Sequence, residues 1–187
     1  MNFSVFKWLN KPSLVENHND SVLSIKTDPN TDFWQETYYD MRVDNGHFLF
    51  STFKTHAIEI QVSLRSDPHS RYDQAGLMIR KDAFNWLKLS TEFENHASSW
   101  LGSVNTKAGL SDWATQEVVT SKHNAYKIII CRNDALLFGL VDGNWQRIRI
   151  LDISHLYVDG ALNIGVYACS PKGSGYEVIF DSPQICY

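Results

Sequence analysis

Hydrophobic and polar residues alternate along most of this chain. Residues 57–64 show it most cleanly: Ile58, Ile60, Val62 and Leu64 interleave with Glu59, Gln61 and Ser63. Successive side chains of a strand point to opposite faces, so this period predicts a strand with one face on a core and one on water. The same period runs through 74–80 and 85–94. There Ala75, Leu77, Ile79, Leu87, Leu89, Thr91 and Phe93 take one face. Gln74, Gly76, Met78, Arg80, Trp86, Lys88, Ser90, Glu92 and Glu94 take the other. The two stretches read as one hairpin, and Gln74, Arg80, Lys88 and Glu92 collect on its polar side. Further strands are expected at 21–27, 47–53, 100–105, 136–141, 145–150, 162–168 and 176–180. Residues 126–132 hold the run Ile128-Ile129-Ile130-Cys131, which predicts a strand covered on both faces. No stretch keeps a 3.6-residue period over three turns.

Turn chemistry separates these runs. Asp44-Asn45-Gly46 and Asp142-Gly143-Asn144 predict hairpins, because Asn and Gly tolerate positive φ. The loop Asp28-Pro29-Asn30-Thr31-Asp32 delivers Phe33-Trp34 and then Tyr38-Tyr39, as either a core plug or a wall of a binding site. Residues 107–113, which contain Ser111-Asp112-Trp113, are expected to form a loop, and 170–175 a flexible turn. About ten to twelve short strands with turns every ~8–12 residues predict an all-β, two-sheet antiparallel sandwich. A length of 187 residues suits one domain spanning 1–187.

Composition narrows the functions. A net charge of -4 argues against a nucleic-acid partner, which needs a basic field. No segment approaches the ~18 consecutive apolar residues of a membrane span. The first residues lack the basic-then-apolar order of a signal peptide, so a cytoplasmic location is expected. Cys131, Cys169 and Cys186 are widely spaced and form no CxxC pair, which predicts buried free thiols. None of the seven His lies two or four residues from another, so no metal and no cofactor is expected. Aromatic residues make up 13% of the chain, an excess that suits both strand packing and stacking on the apolar face of a sugar.

The set Tyr72-Asp73-Gln74-Ala75-Gly76-Leu77-Met78, Trp86-Leu87-Lys88, Glu92, Val104 with Thr106, and Ser111-Asp112-Trp113 resembles a functionally uncharacterised family whose members are often named for regulation of enolase. The resemblance extends to Phe6-Lys7-Trp8-Leu9-Asn10-Lys11-Pro12, Thr31-Asp32-Phe33-Trp34, Asn45-Gly46-His47-Phe48 and Ala168-Cys169-Ser170-Pro171. It implies a jelly-roll of the concanavalin A-like lectin/glucanase type with a concave face. The chain departs from the family at Lys11, where relatives usually carry an acidic residue.

Three functions fit these residues. The leading one is non-catalytic binding of a carbohydrate, a small polyol or an anionic metabolite. Asp73, Gln74, Arg80, Lys88, Glu92 and Asp112 would supply polar contacts, and Trp34, Trp86 and Trp113 the stacking rings. The second is a cytosolic regulatory protein with a metabolic-enzyme partner such as enolase, as the resemblance implies. The third is a glycoside hydrolase or lyase. A retaining glycosidase needs two carboxylates ~5–5.5 Å apart, and Glu92 and Glu94 are the candidates. The position two before Glu92 is Ser90, so the alternating acid pattern of sandwich glucanases is incomplete.

Overall fold

A computed structural model of the chain describes residues 3–187. After a 3-10 turn at Phe3–Val5 come β1 (Lys7–Leu9), β2 (Leu14–His18), β3 (Val22–Lys26), β4 (Phe33–Glu36), β5 (Met41–Asp44) and β6 (His47–Phe53). The long central strands follow: β7 (Ala57–Ser66), β8 (Gln74–Asp82), β9 (Asn85–Phe93), β10 (Ser98–Lys107), β11 (Leu110–Val119) and β12 (His123–Cys131). The chain closes with β13 (Asp134–Val141), β14 (Asn144–Asp152), a 3-10 turn at Ser154–Leu156, β15 (Leu162–Cys169), β16 (Glu177–Asp181) and β17 (Gln184–Cys186). No helix among the described residues is long and apolar enough to cross a membrane.

These strands form two large antiparallel sheets, a jelly-roll sandwich. One sheet runs β1-β6-β15-β8-β9-β10-β11, and the other β14-β13-β12-β7-β16-β3-β2 with β17 also on β7. The apolar sets read from the alternation meet between them. Ile58, Ile60, Val62 and Leu64 of β7 lie in one core with Leu77 and Ile79 of β8 and Leu87 and Leu89 of β9. Each such side chain contributes about 1.5–3 kcal/mol by leaving water.

Yet β8 is buried on both faces from Gln74 through Arg80. The second cover is the small hairpin β4–β5, which pairs Phe33 with Asp44 and Glu36 with Met41 and lies on the outer face of the seven-stranded sheet. Its Phe33 and Trp34 join Met78, Trp86, Val104, Tyr167 and Cys169 in a second apolar cluster. The hairpin therefore acts as a cap. Its tip bends through Glu36, Tyr38 and Asp40, all at positive φ.

Three expectations are corrected here. Asn45-Gly46 does not turn a hairpin, because β5 pairs with β4 while β6 pairs with β1 and β15. Instead the backbone N–H groups of Asn45 and Gly46 donate to Asp32 O at 3.1 and 3.0 Å and close the base of the cap. Gly46 is needed there for space: a Cβ would overlap the Phe33 ring and the Cys169 sulfur. Residues 110–119 are not a loop but the edge strand β11, so Ser111-Asp112-Trp113 lies on a strand. Cys131 and Cys186 are exposed, and only Cys169 is the buried thiol that was expected.

Candidate functional site

Strand parity sends Gln74, Met78 and Arg80 of β8, and Trp86, Lys88, Ser90 and Glu92 of β9, to the capped face. The cap then divides them. Phe33 packs against Trp86 and Tyr167, with ring centroids 6.2 and 6.4 Å apart. Trp86 is fully enclosed, and its Nε1 donates to Ala83 O at 3.2 Å. Arg80 Nη2 donates to Asp44 Oδ2 at the end of β5, at 2.6 Å.

A cavity of about 160 Å³ remains between cap and sheet. It brings together five of the expected residues: Trp34, Gln74, Lys88, Glu92 and Trp113. The rings form a continuous wall of edge-to-face contacts. Trp34 lies 5.4 Å from Tyr39 and 6.3 Å from Trp113, and Trp113 lies 6.4 Å from Tyr72.

Most of the buried polar lining is held tightly. Lys88 Nζ donates to Asp32 Oδ1 at 3.2 Å and to Phe33 O at 3.0 Å, fastening the cap to the sheet. Burial works against the Lys88 charge, but Asp32 and Glu92 outweigh it and hold the ammonium above its ordinary range. Gln74 Nε2 donates to Tyr72 O at 3.1 Å. Its Oε1 is bonded to the Tyr167 hydroxyl at 3.0 Å, which also meets Ser90 Oγ at 2.7 Å. Ser111 Oγ accepts from Gln35 N at 3.0 Å and ties the cap to β11.

The Trp113 Nε1 is a buried donor with no partner among the described residues, and the charged exception is Glu92. It is 7% exposed, and among the described residues its carboxylate has no hydrogen-bond partner. Burial pushes this carboxyl up to about 7, against the pull of the Lys88 ammonium and with the help of nearby Asp32. A buried acid without a partner costs stability, and such groups concentrate at functional sites.

The other expected residues stand elsewhere. Asp73 does not reach the cavity. Its Oδ1 accepts from Ser170 Oγ at 2.6 Å, and its Oδ2 from His69 N at 3.1 Å and Ser70 N at 2.9 Å, so it organises the turn before β8. Asp112 faces away from Trp113 and pairs with Arg149 at 2.7 Å. Glu94 pairs with Arg71 at 2.9 Å and accepts from Trp100 Nε1 at 3.3 Å. The two acids of the glycosidase reading therefore do not meet in the cavity. Among the described residues no group of three or more His, Cys, Asp or Glu is placed to hold a metal ion.

Several lining residues were not among the expected site residues, although the loop that carries Asp32 and Tyr39 was expected as a core plug or a wall of a binding site. Asp32, Tyr39, Met41 and Val43 come from the cap, Tyr72 from the turn before β8, and Lys172 from the loop after β15. Asp32 had a signal in its position between a Pro-Asn turn and Phe33-Trp34. Met41 and Val43 had none, because their role depends on where the cap lands.

Sheet order and capped face together define the class, a two-sheet jelly-roll sandwich with a hairpin laid over one sheet. Residues 8–186 match the family described as a protein of unknown function, DUF1349, and the chain belongs to that family. It is 34% identical over 178 residues to Regulation of enolase protein 1 of Saccharomyces cerevisiae, covering 92% of this chain and 85% of that one. The crystal structure of a functionally unknown protein from Saccharomyces cerevisiae superposes with a TM-score of 0.87 at 30% identity, over 100% of this chain and 98% of that one. A xylan beta-1,4-xylosidase from Bacillus halodurans superposes with a TM-score of 0.76 over 100% of this chain and 38% of that one. Its identity of 17% marks a shared fold alone.

Proposed function

We propose that the cavity beneath the β4–β5 cap binds a small carbohydrate, another polyol or an anionic metabolite, without transforming it. The observation that carries this reading is Glu92, an almost fully buried residue lining the cavity whose carboxylate accepts no hydrogen bond among the described residues. The rings of Trp34, Tyr39, Tyr72 and Trp113 beside it offer stacking surface, and Lys88 offers a fixed positive charge. Catalysis by the Glu92–Glu94 pair is not part of the reading, because Arg71 engages Glu94 outside the cavity.

The test is thermal denaturation with neutral sugars, uronic acids, sugar phosphates and glycolytic intermediates, in the wild type and in Glu92→Gln. A ligand at 100 times its dissociation constant stabilises the fold by ~2.7 kcal/mol. A shift lost in Glu92→Gln supports the cavity as the site. No shift from any compound at millimolar concentration refutes it.

A second reading rests on the name of the 34% identical yeast relative. By that reading the protein is a regulatory partner of a metabolic enzyme such as enolase. Mixing the purified protein with purified enolase and measuring association and enolase turnover decides it. Unchanged turnover and no complex at micromolar concentrations would dismiss the idea.

A further inference from the structure

The hydrogen bonds inside the cavity leave the Glu92 carboxylate over. Two of the cavity's buried donor groups are committed, Lys88 Nζ to Asp32 and Phe33 O, and Gln74 Nε2 to Tyr72 O. The Trp113 Nε1 is a buried donor with no hydrogen-bond partner among the described residues. Among the acceptors, Gln74 Oε1 takes the Tyr167 hydroxyl and Asp32 Oδ1 takes Lys88, but the Glu92 carboxylate accepts no hydrogen bond from a described residue. A sugar hydroxyl brings a donor and an acceptor together. An ammonium brings donors only, with a charge that matches a carboxylate. Aromatic walls add to the same preference, because the faces of Trp and Tyr attract a desolvated cation.

We infer that the cavity takes a polyol bearing an ammonium group, an amino sugar in the simplest case. Glu92 is its counter-ion, and the rings of Tyr39, Tyr72 and Trp113 flank the cation. This rests on reading the cavity as a ligand site and narrows the ligand's chemistry. Charges facing Glu92 come from every neighbouring element. Lys88 lies on its own strand, Asp32 before β4, and Lys172 after β15. Tyr167 and Cys169 of β15 are buried with raised proton affinity and remain neutral. Lys88 is already matched by Asp32 at 3.2 Å, and Lys172 is exposed on the rim. Glu92 is thus the charge left for a ligand to match.

An ammonium beside Glu92 draws the carboxyl into its ionised form and releases its proton. Binding then strengthens as pH rises through about 7, up to the point where the amine itself loses its proton. A neutral sugar produces no such release.

The experiment is titration calorimetry of the wild type with glucosamine, N-acetylglucosamine and glucose, at pH 7 in two buffers of different ionisation enthalpy. The expected result is glucosamine binding at least about tenfold tighter than glucose, with N-acetylglucosamine no better than glucose. The apparent enthalpy for glucosamine differs between buffers, reporting proton release. Glu92→Gln, checked for fold by circular dichroism, removes both the preference and the release. If glucose or N-acetylglucosamine binds as well as glucosamine and no proton is released, the ammonium inference is overturned while the binding site stands. If none of these sugars binds and the wider panel of sugars and metabolites is also silent, the binding site itself is refuted.

Discussion

Replacing Glu92 by Gln makes the protein's stability less sensitive to alkali. The carboxyl has an ordinary value of 4.5 in the unfolded chain and about 7 in the fold. Between those values the folded state binds more protons than the unfolded state, so stability falls as pH rises. Below 4.5 both states are protonated and there is no penalty. Above about 7 both are ionised and the whole penalty is present. At ~1.4 kcal/mol per pH unit it amounts to about 3 kcal/mol, and burial of the group leaves little solvent to screen it. Urea denaturation of wild type and Glu92→Gln at pH 5 and pH 8 isolates this effect, because other titrations are common to both proteins. The amide's own desolvation cost is also the same at both pH values. The stability difference should move by about 2–3 kcal/mol in favour of the variant from pH 5 to pH 8, with unchanged denaturant slopes. A difference that does not vary with pH would refute the burial of an unpartnered acid, and so would one that favours the wild type more at pH 8.

Other substitutions separate the cap, the turn and the surface. Phe33→Ala removes a fully buried ring from the base of the cap and should cost about 3–5 kcal/mol in chemical denaturation. Asp73→Ala strips the acceptors from Ser170 Oγ, His69 N and Ser70 N and should cost about 2–4 kcal/mol. A ligand's dissociation constant at the cavity should be unchanged in that variant at a temperature where it is folded. Gly46→Ala forces its methyl against Phe33 and Cys169 and should cost about 1–3 kcal/mol. Asp112→Ala breaks an exposed pair with Arg149 and should change stability by less than about 1 kcal/mol.

The sandwich was legible wherever one face of a strand meets the core and the other meets water. That is the case for β7, and its period of 2 survives intact in the structure. It fails for β11, an edge strand exposed at most positions, where Asp112, Thr115, Gln116 and Glu117 never needed to alternate with apolar residues. It fails again for β4, where Phe33, Trp34 and Gln35 are all buried, because the hairpin is held between a sheet and its own far strand. Asn45-Gly46 has hairpin chemistry, but tertiary contacts to Asp32 employ it at the base of the cap instead. The candidate site followed the same rule. Gln74, Lys88 and Glu92 were identified by parity along β8 and β9. Asp73, Arg80 and Asp112 were carboxylates and a cation of the right kind whose partners, Ser170, Asp44 and Arg149, come from distant parts of the chain.

The cap separates what the protein holds from how it stands up. Asn30, Asp32, Trp34, Tyr39, Met41 and Val43 shape one wall of the cavity, yet β4 and β5 belong to neither large sheet. Change within residues 30–43 can therefore redraw the wall while both large sheets keep their registers. The exceptions are the fasteners, Asp32 and Phe33 at Lys88 and Gln35 at Ser111. Relatives that keep those anchors and vary the residues between them would share one scaffold and differ in what they select. The cap is the stretch to exchange when transplanting selectivity from one such protein to another.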